Sequence, residues 1–402
     1  MAPIAPAASP AQSAGDGSGE GEQDYSPVSF AHHVFRFLPT GAAAFAALDT
    51  SIAHARAAIC LEMYIFKADA TGARVRSALI AACRRGVRVR ILLDAFGASD
   101  LPRDYFVDFI KYGGELRWFN PSRVLRVAFR NHRKLCVIDH AQAIVGGFNI
   151  GDEYDGDGVQ SGWRDLGMRI EGPIVAELES SFSRLFVAAH MDRRATVLFA
   201  RGRVDAARNL DAPMLLTSGP GFGGAQLRKL LYRDLQRAHR VAIVAAYFSP
   251  TWRLRRALRR AARHGIVRLL LPGVTDVPVM RLAAHHLYDR MLLHRIEIFE
   301  YLPQVLHAKL VVVDDIVYVG SSNFDTRSLQ LNFDFLVRIP NAELAEQARR
   351  IFREDLARSQ AITLPEWHAG DSLWRRAVRL VAYWLVTRLD PLLARRKWRA
   401  LR

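Results

Sequence analysis

Residues 132–139 read HRKLCVID, and residues 307–314 read HAKLVVVD. Both octapeptides fit the pattern H-x-K-x-x-x-x-D, which supplies one imidazole, one ammonium and one carboxylate. These groups suit displacement at a phosphate diester without a metal ion, because imidazole can attack or donate a proton while ammonium stabilises developing charge. A single copy would be a weak signal, but two copies in one chain indicate a duplicated catalytic unit.

The sequence that follows each octapeptide is also duplicated. A small-residue turn ending in asparagine comes next in both halves, GGFN at 146–149 and GSSN at 320–323. Further on, Asp165 and Asp334 each open a repeated apolar run. Self-similarity over this distance indicates one ancestral half written twice.

Each half alternates apolar runs of strand length with longer amphipathic stretches that end at a glycine. Apolar segments at residues 59–66 and 241–248 match each other upstream of the two octapeptides. This alternation predicts α/β structure in which helices cover sheets, and the duplication predicts two homologous domains. The predicted organisation comprises a disordered tail, an N-terminal domain, a C-terminal domain and a basic amphipathic segment, at 1–27, 28–205, 206–362 and 363–402.

The β-branched, apolar residues inside each octapeptide predict a strand that begins just after the histidine. Side chains two residues apart on a strand share a face, so the histidine and lysine of each copy can point at one ligand. The aspartate stands at an odd separation from the histidine, beyond the apolar run. We therefore expect Asp139 and Asp314 to support turn hydrogen bonding or contacts between the halves.

Phosphodiester cleavage needs a nucleophile, a proton for the leaving oxygen, and positive groups around the other oxygens. Imidazole suits the first two roles because it is nucleophilic when neutral and acidic when protonated near neutral pH. The lysines and the asparagine amides can hold the remaining oxygens, and an acidic partner can fix the tautomer of each histidine. The candidate catalytic residues are His132, Lys134, Asp139, Asn149, Asp165, His307, Lys309, Asp314, Asn323 and Asp334. No cofactor is expected, and no Cys/His/acid cluster has the spacing of metal ligands.

The composition narrows the partners. Among 402 residues, 56 Lys and Arg stand against 40 Asp and Glu, which gives a formal net charge of +16 and favours polyanions such as anionic lipid headgroups or nucleic acid. The start of the chain has no basic region followed by an apolar core, and no apolar run is long enough to span a bilayer, so we expect a cytosolic or peripheral protein. Three cysteines, Cys60, Cys83 and Cys136, are predicted to be core residues.

The C-terminal segment favours lipid over nucleic acid. On a helix, Trp374, Val378, Val381 and Leu385 would line one side, with three arginines gathered opposite. A basic helix with aromatic residues at its border suits an anionic membrane interface. A terminal helix docked on the last domain with a solvated arginine face is the alternative.

These motifs resemble those of the phospholipase D superfamily, and the chain is most similar to its bacterial cardiolipin synthases. The resemblance covers about residues 35 to 355 and rests on the paired octapeptides, with softer support from LEMYIF, GGFN, WRD and RIEGP in the first half. It implies two mixed-sheet domains packed with pseudo-twofold symmetry, one catalytic histidine from each, and a phosphohistidine intermediate. It also implies that Asp334, where family members often have glutamate, is the acidic partner of His307.

For a cardiolipin synthase, the resemblance implies transfer of a phosphatidyl group from phosphatidylglycerol or phosphatidylethanolamine to the terminal hydroxyl of phosphatidylglycerol. The expected location is the cell membrane, peripherally and on its cytoplasmic face. The arginines that lead into the first octapeptide could hold a lipid phosphate or form a solvated loop; they are Arg123, Arg126, Arg130 and Arg133.

Other functions would use similar residues. A hydrolytic phospholipase D differs only in acceptor, which the motifs do not report. A nuclease would suit the positive charge, but no aromatic stacking platform or known nucleic-acid module accompanies it. A lipid-binding module without catalysis is disfavoured by the intact pair of motifs.

Overall fold

A computed structural model describes residues 25–120, 129–189, 209–219 and 225–389. Within these ranges the chain forms two eight-stranded mixed sheets covered by helices, together with a short two-stranded pairing. The predicted α/β class and the duplication into two similar halves are confirmed. The predicted domain boundary at residue 205 lies outside the described residues.

The first sheet belongs to the N-terminal half. Its strands are β1 (Val28–Phe30), β2 (His33–Leu38), β3 (Ala58–Met63), β4 (Arg88–Asp94), β5 (Glu115–Phe119), β6 (Leu135–Ile138), β7 (Gln142–Gly146) and β8 (Gly167–Glu171). The accompanying helices are α1 (Gly41–His54), α2 (Ala70–Arg84), α3 (Val107–Lys111) and α4 (Ile174–Ala188). The strands lie in the order β1-β2-β8-β7-β6-β3-β4-β5.

The second half repeats this layout and adds C-terminal helices. Its strands are β9 (Met214–Ser218), β10 (Arg240–Ala245), β11 (Phe248–Ser249), β12 (Ile266–Val274), β13 (Glu297–Val305), β14 (Lys309–Val313), β15 (Ile316–Gly320), β16 (Phe324–Asp325), β17 (Asp334–Pro340) and β18 (Ser359–Ile362). Its helices are α5 (Ala225–Arg237), α6 (Trp252–His264), α7 (Pro278–Leu292), α8 (Thr326–Gln330), α9 (Ala342–Leu356), α10 (Leu364–Ala369) and α11 (Leu373–Trp384), followed by a π-helical turn (Leu385–Leu389). The sheet order is β18-β13-β12-β10-β14-β15-β17-β9.

Seven strands in each sheet correspond one to one. The order β2-β8-β7-β6-β3-β4-β5 is repeated as β9-β17-β15-β14-β10-β12-β13, with the same parallel and antiparallel pairings. Strand register also fixes equivalent positions: Ile59 pairs with Ile138 in the first half, and Val241 pairs with Val313 in the second. Because Ile138 and Val313 occupy the same place in the two octapeptides, Ile59 and Val241 are equivalent.

Apolar side chains form cores on both faces of each sheet. One core fills the space between the two sheets and includes apolar residues of α4 and α9. The two halves therefore share one continuous hydrophobic core. A second core lies under α5, α6 and α7, and a third under α1, α2 and α3. Cys60, Cys83 and Cys136 are buried and free, as predicted.

The aspartate that ends each octapeptide anchors a hairpin. Asp139 and Asp314 adopt φ angles of 51° and 48°, the left-handed conformation that aspartate tolerates in tight turns. Asp139 accepts hydrogen bonds from the backbone N–H groups of Arg56, Ala57 and Ala58 at distances of 2.7 to 3.2 Å. Burial alone would raise the pKa of Asp139, but these donors outweigh it and lower that pKa. The carboxylate therefore ties the hairpin to the start of β3.

The first described residues differ from the sequence expectation. The predicted disordered tail extends to residue 27, and most of it lies outside the described residues, but Tyr25 is buried and its hydroxyl donates to Glu354 at 2.9 Å. The tail prediction is therefore wrong for residues 25–27, because the side chain of Tyr25 packs against α9.

Among the helices in the described ranges, none is both long and apolar enough to span a bilayer.

We predict that Asp139→Ala lowers the free energy of unfolding by about 1–3 kcal/mol, because several backbone N–H groups lose their acceptor. Urea unfolding followed by circular dichroism measures this change. The control is Asp315→Ala, since the Asp315 side chain is 70% exposed in the equivalent hairpin region of the second half. Equal stability of Asp139→Ala and the control would contradict the anchoring role.

Candidate active site

The two halves are joined by backbone hydrogen bonds directly beside the two histidines. The N–H of His132 donates to the carbonyl of Phe333 at 2.9 Å, and the N–H of His307 donates to the carbonyl of Arg164 at 2.8 Å. Both contacts belong to short parallel bridges that run between the halves. Each histidine is therefore fixed by the opposite half of the chain as well as by its own strand.

Each imidazole also bonds to a carboxylate of the opposite half. His132 Nδ1 lies 2.9 Å from Asp334 Oδ1, and His307 Nδ1 lies 2.6 Å from Asp165 Oδ2. Ser321 Oγ donates to the same Asp334 oxygen at 2.7 Å and helps to orient it. The structure thus brings both predicted acidic residues to the histidines, but the expected pairing of Asp334 with His307 is wrong. The partnership is crossed, because the bridges that join the two halves place each histidine beside the carboxylate of the opposite half.

Burial sets the protonation of these groups. Removal from water, followed by the charge of Lys134, holds the pKa of His132 well below its usual value, and burial followed by the charge of Lys309 lowers the pKa of His307. Burial raises the pKa of Asp334 to about 8. Loss of solvent disfavours the charged form of every one of these groups. Both imidazoles are therefore neutral near neutral pH before a phosphate binds.

The two lysines lie beneath the histidines. Lys134 Nζ donates to the carbonyl of His132 at 2.7 Å, and Lys309 Nζ donates to the carbonyl of His307. Burial lowers the pKa of Lys134 strongly and that of Lys309 to about 8. The amino groups of both lysines are thus close to the histidines, although they do not line the cavity described next.

Both imidazoles open onto one cavity of about 460 Å³. Asn149 and Asn323 line it with His132 and His307, so four of the ten predicted residues form its wall. Asn149 Nδ2 donates to the hydroxyl of Tyr154 at 2.7 Å, whereas Asn323 Oδ1 is buried and has no hydrogen-bond partner among the described residues. The cavity can accept a small polar group between the imidazoles.

Asp139 and Asp314, which the sequence placed among the catalytic candidates, lie outside this cavity. Both carboxylates accept backbone N–H groups at the hairpins, Asp314 from His239 and Arg240 at 3.0 and 2.8 Å. These hydrogen bonds fit the expected supporting role of both residues in the turns, and their position gives no support to a direct part in catalysis. They stand at the far end of the strand from the histidine, where only main-chain donors surround them.

The arginines before the first octapeptide have separate roles. Arg123 and Arg126 lie outside the described residues. Arg130 lines the cavity, and its Nη1 donates to the hydroxyl of Tyr64 at 3.2 Å. Arg133 is buried and lies 3.4 Å from Glu62, so it cannot hold a lipid phosphate at the surface.

Sequence reasoning missed several residues of the cavity wall. The wall also includes Tyr64, Tyr154, Trp163, Tyr247, Asp276, Arg327, Leu385 and Val386. Tyr64 and Tyr247 stand near the ends of the two matching apolar segments. A tyrosine hydroxyl at the end of a buried strand is a signal that could have identified both as residues of the site. Asp276 carries no such signal, because a loop brings it to the site only in the folded chain.

In sequence, the chain is similar to bacterial cardiolipin synthases. A family profile described as "Cardiolipin synthase, PLD-like domain" matches residues 48–186 and 231–356. The chain is 33% identical over 331 residues to the major cardiolipin synthase ClsA of Bacillus subtilis, which covers 80% of this chain and 69% of that protein. It is 32% identical over 340 residues to a cardiolipin synthase of Clostridium perfringens, covering 81% of this chain and 71% of that protein.

Solved structures with similar folds include two distant ones. Phosphatidylserine synthase from Haemophilus influenzae superposes with a TM-score of 0.70 at 13% identity, covering 90% of this chain and 94% of that one. Polyphosphate kinase from Porphyromonas gingivalis superposes with a TM-score of 0.52 at 12% identity, covering 81% of this chain and 50% of that one. At these identities the likeness supports the fold alone.

Proposed function

The chain belongs to the cardiolipin synthase family with a phospholipase D-like domain, whose members are phosphatidyltransferases of the phospholipase D superfamily, and we propose that it forms cardiolipin. The phosphatidyl group would come from phosphatidylglycerol or phosphatidylethanolamine, and the acceptor would be the terminal hydroxyl of phosphatidylglycerol. The observation that carries this proposal is the pair of neutral imidazoles, one from each half, that open onto one cavity.

In the proposed reaction, the Nε2 atom of one histidine attacks the phosphorus of the donor. The P–O bond to the leaving headgroup breaks, and the other histidine gives a proton to the departing oxygen. An anionic phosphate in the cavity offsets the burial that lowers the imidazole pKa, so this histidine can hold the required proton. The acceptor hydroxyl then attacks the phosphohistidine while the second histidine removes its proton.

The surrounding residues support this sequence of steps. In the proposed tautomer, Nδ1 of His132 and of His307 carries the proton and donates to Asp334 and Asp165, which leaves each Nε2 atom available to the cavity. The lysines beneath the imidazoles, with the asparagine amides on the wall, would stabilise negative charge on the phosphoryl oxygens. This set of groups supplies nucleophile, acid and positive charge, so we propose that no metal ion takes part.

We further propose that the protein acts peripherally on an anionic membrane, on the cytoplasmic face. Helix α11 packs against α7, yet Leu373 and Trp374 remain 84% and 76% exposed. Arg376 and Arg379 on the same helix bond to Asp371, which offsets part of the basic charge. The exposed apolar side chains are therefore the stronger sign of a membrane-facing surface.

Purified protein with His132→Ala or His307→Ala should lose cardiolipin formation by about a thousandfold or more, since nucleophile and acid are both needed. The assay incubates phosphatidylglycerol with the protein in EDTA and separates the lipids. Cardiolipin and glycerol are the products we expect from the unaltered chain. Phosphatidic acid and glycerol would show a hydrolytic phospholipase D instead, and activity that required an added divalent ion would contradict the metal-free reaction.

The pH profile of kcat/KM should fall as pH rises through about 8. Below this pH Lys309 is positively charged and Asp334 is neutral. Above it Lys309 becomes neutral and Asp334 becomes negative, so the free enzyme attracts an anionic phosphate less strongly. A bound phosphate raises the pKa of Lys309, so kcat should decline only at higher pH. Identical profiles for kcat and kcat/KM would contradict this assignment.

The double substitution Leu373→Ser and Trp374→Ser should weaken binding to phosphatidylglycerol vesicles by about tenfold or more, because exposed apolar area no longer enters the interface. Sedimentation with vesicles measures binding, and activity on detergent-dispersed lipid should fall less. The matched control is Val107→Ser with Ile110→Ser on α3, where the side chains are 57% and 55% exposed. Equal vesicle binding of both variants would remove the role of α11.

A further inference from the structure

The catalytic groups are duplicated, but one part of the cavity wall is not. Tyr247 lines the cavity in the second half, and strand register makes Ile65 its equivalent in the first. The hydroxyl of Tyr247 donates to Asp276 Oδ2 at 2.7 Å, and Asp276, in the loop between β12 and α7, lines the same cavity. The phosphoryl chemistry described above uses neither residue, so this pair is an addition to a symmetric site.

Asp276 is exposed to the cavity and can accept further hydrogen bonds. A carboxylate offers about four lone-pair positions. Among the described residues, Asp276 accepts from the hydroxyl of Tyr247 at 2.7 Å and from the hydroxyl of Thr275 at 3.5 Å. The other carboxylate on the wall, Asp325, is already engaged at the start of α8, where it accepts from the N–H of Ser328 at 2.6 Å. Asp276 is therefore the carboxylate suited to contact a ligand.

A carboxylate beside a phosphate site selects its ligand by charge. It repels phosphate oxygens but accepts strongly from hydroxyl groups, because hydrogen bonds to ionised acceptors are about twice as strong as neutral ones. An ammonium group could also bind a carboxylate. Arg130 and Arg327 line the same cavity, however, and their positive charges repel a positively charged ligand. The charges around the pair thus favour a neutral ligand with several hydroxyl groups.

We propose that Tyr247 and Asp276 bind the vicinal hydroxyl group of the acceptor and so direct the reaction toward a polyol headgroup. This inference rests on the proposed function. In the second step, one hydroxyl oxygen forms the new bond to phosphorus as the P–N bond breaks, and its proton passes to the other histidine. The neighbouring hydroxyl donates to Asp276 throughout and keeps its proton. Water has no neighbouring hydroxyl group, so it cannot attack the phosphohistidine and donate this second hydrogen bond to Asp276 at the same time.

The test uses two isomeric acceptors that differ only in the position of a hydroxyl group. Full-length protein is incubated with phosphatidylglycerol in detergent micelles and equal amounts of 1,2-propanediol and 1,3-propanediol, and the phosphatidyl products are separated by chromatography with mass detection. The unaltered chain should prefer the 1,2-isomer by about tenfold, as expected for one hydrogen bond to a charged group. Asp276→Ala and Tyr247→Phe should each reduce this preference toward equality and raise the share of phosphatidic acid.

The control is Asp315→Ala, which removes an exposed carboxylate outside the cavity and should keep the preference for the 1,2-isomer. Tyr247→Phe retains the ring and the fold, so it remains informative if Asp276→Ala is unstable. Transfer without isomer preference in the unaltered chain, or a preference that survives both substitutions, would overturn the inference while leaving the proposed function intact. Absence of any phosphatidyl product from the unaltered chain would overturn both.

Discussion

The structure depends on an exchange of carboxylates between its two halves. Asp334 bonds to His132 and Asp165 bonds to His307, so each of these two histidines takes its carboxylate from the opposite half. The backbone bridges beside both histidines and the apolar core between the sheets hold this exchange in register. Because all four side chains are buried, a shift between the halves would leave uncompensated polar groups in the interior.

The crossed arrangement explains how a duplicated sequence produces one site rather than two. Each histidine bonds to a carboxylate of the opposite half, and both imidazoles open onto a single cavity. Symmetric residues supply the reaction, since one histidine carries the phosphatidyl group while the other acts first as acid and then as base. Asymmetric residues such as Arg130 and Asp276 distinguish the two sides of the cavity, which is where recognition of different lipid groups can arise.

Much of the fold followed from the sequence because its signals are local or repeated. The alternation of apolar runs predicted sheets covered by helices, and the repeated octapeptides identified both histidines at equivalent positions just before β6 and β14. The pairing of Asp334 with His307 was wrong, because proximity in sequence does not report which sheet a side chain faces. The odd separation of Asp139 from His132 predicted its role in turn hydrogen bonding, whereas its left-handed conformation and its particular backbone donors become visible only in the folded hairpin.

The most direct measurement is a crystal structure of the protein with orthovanadate, which mimics a phosphoryl group during transfer. We expect one vanadium atom between the two imidazoles, bonded to Nε2 of one histidine and approached by the other from the opposite side. His132 should still bond to Asp334, and His307 to Asp165. Vanadate that contacted a single histidine, or carboxylates that paired within their own halves, would contradict a site shared across the two halves.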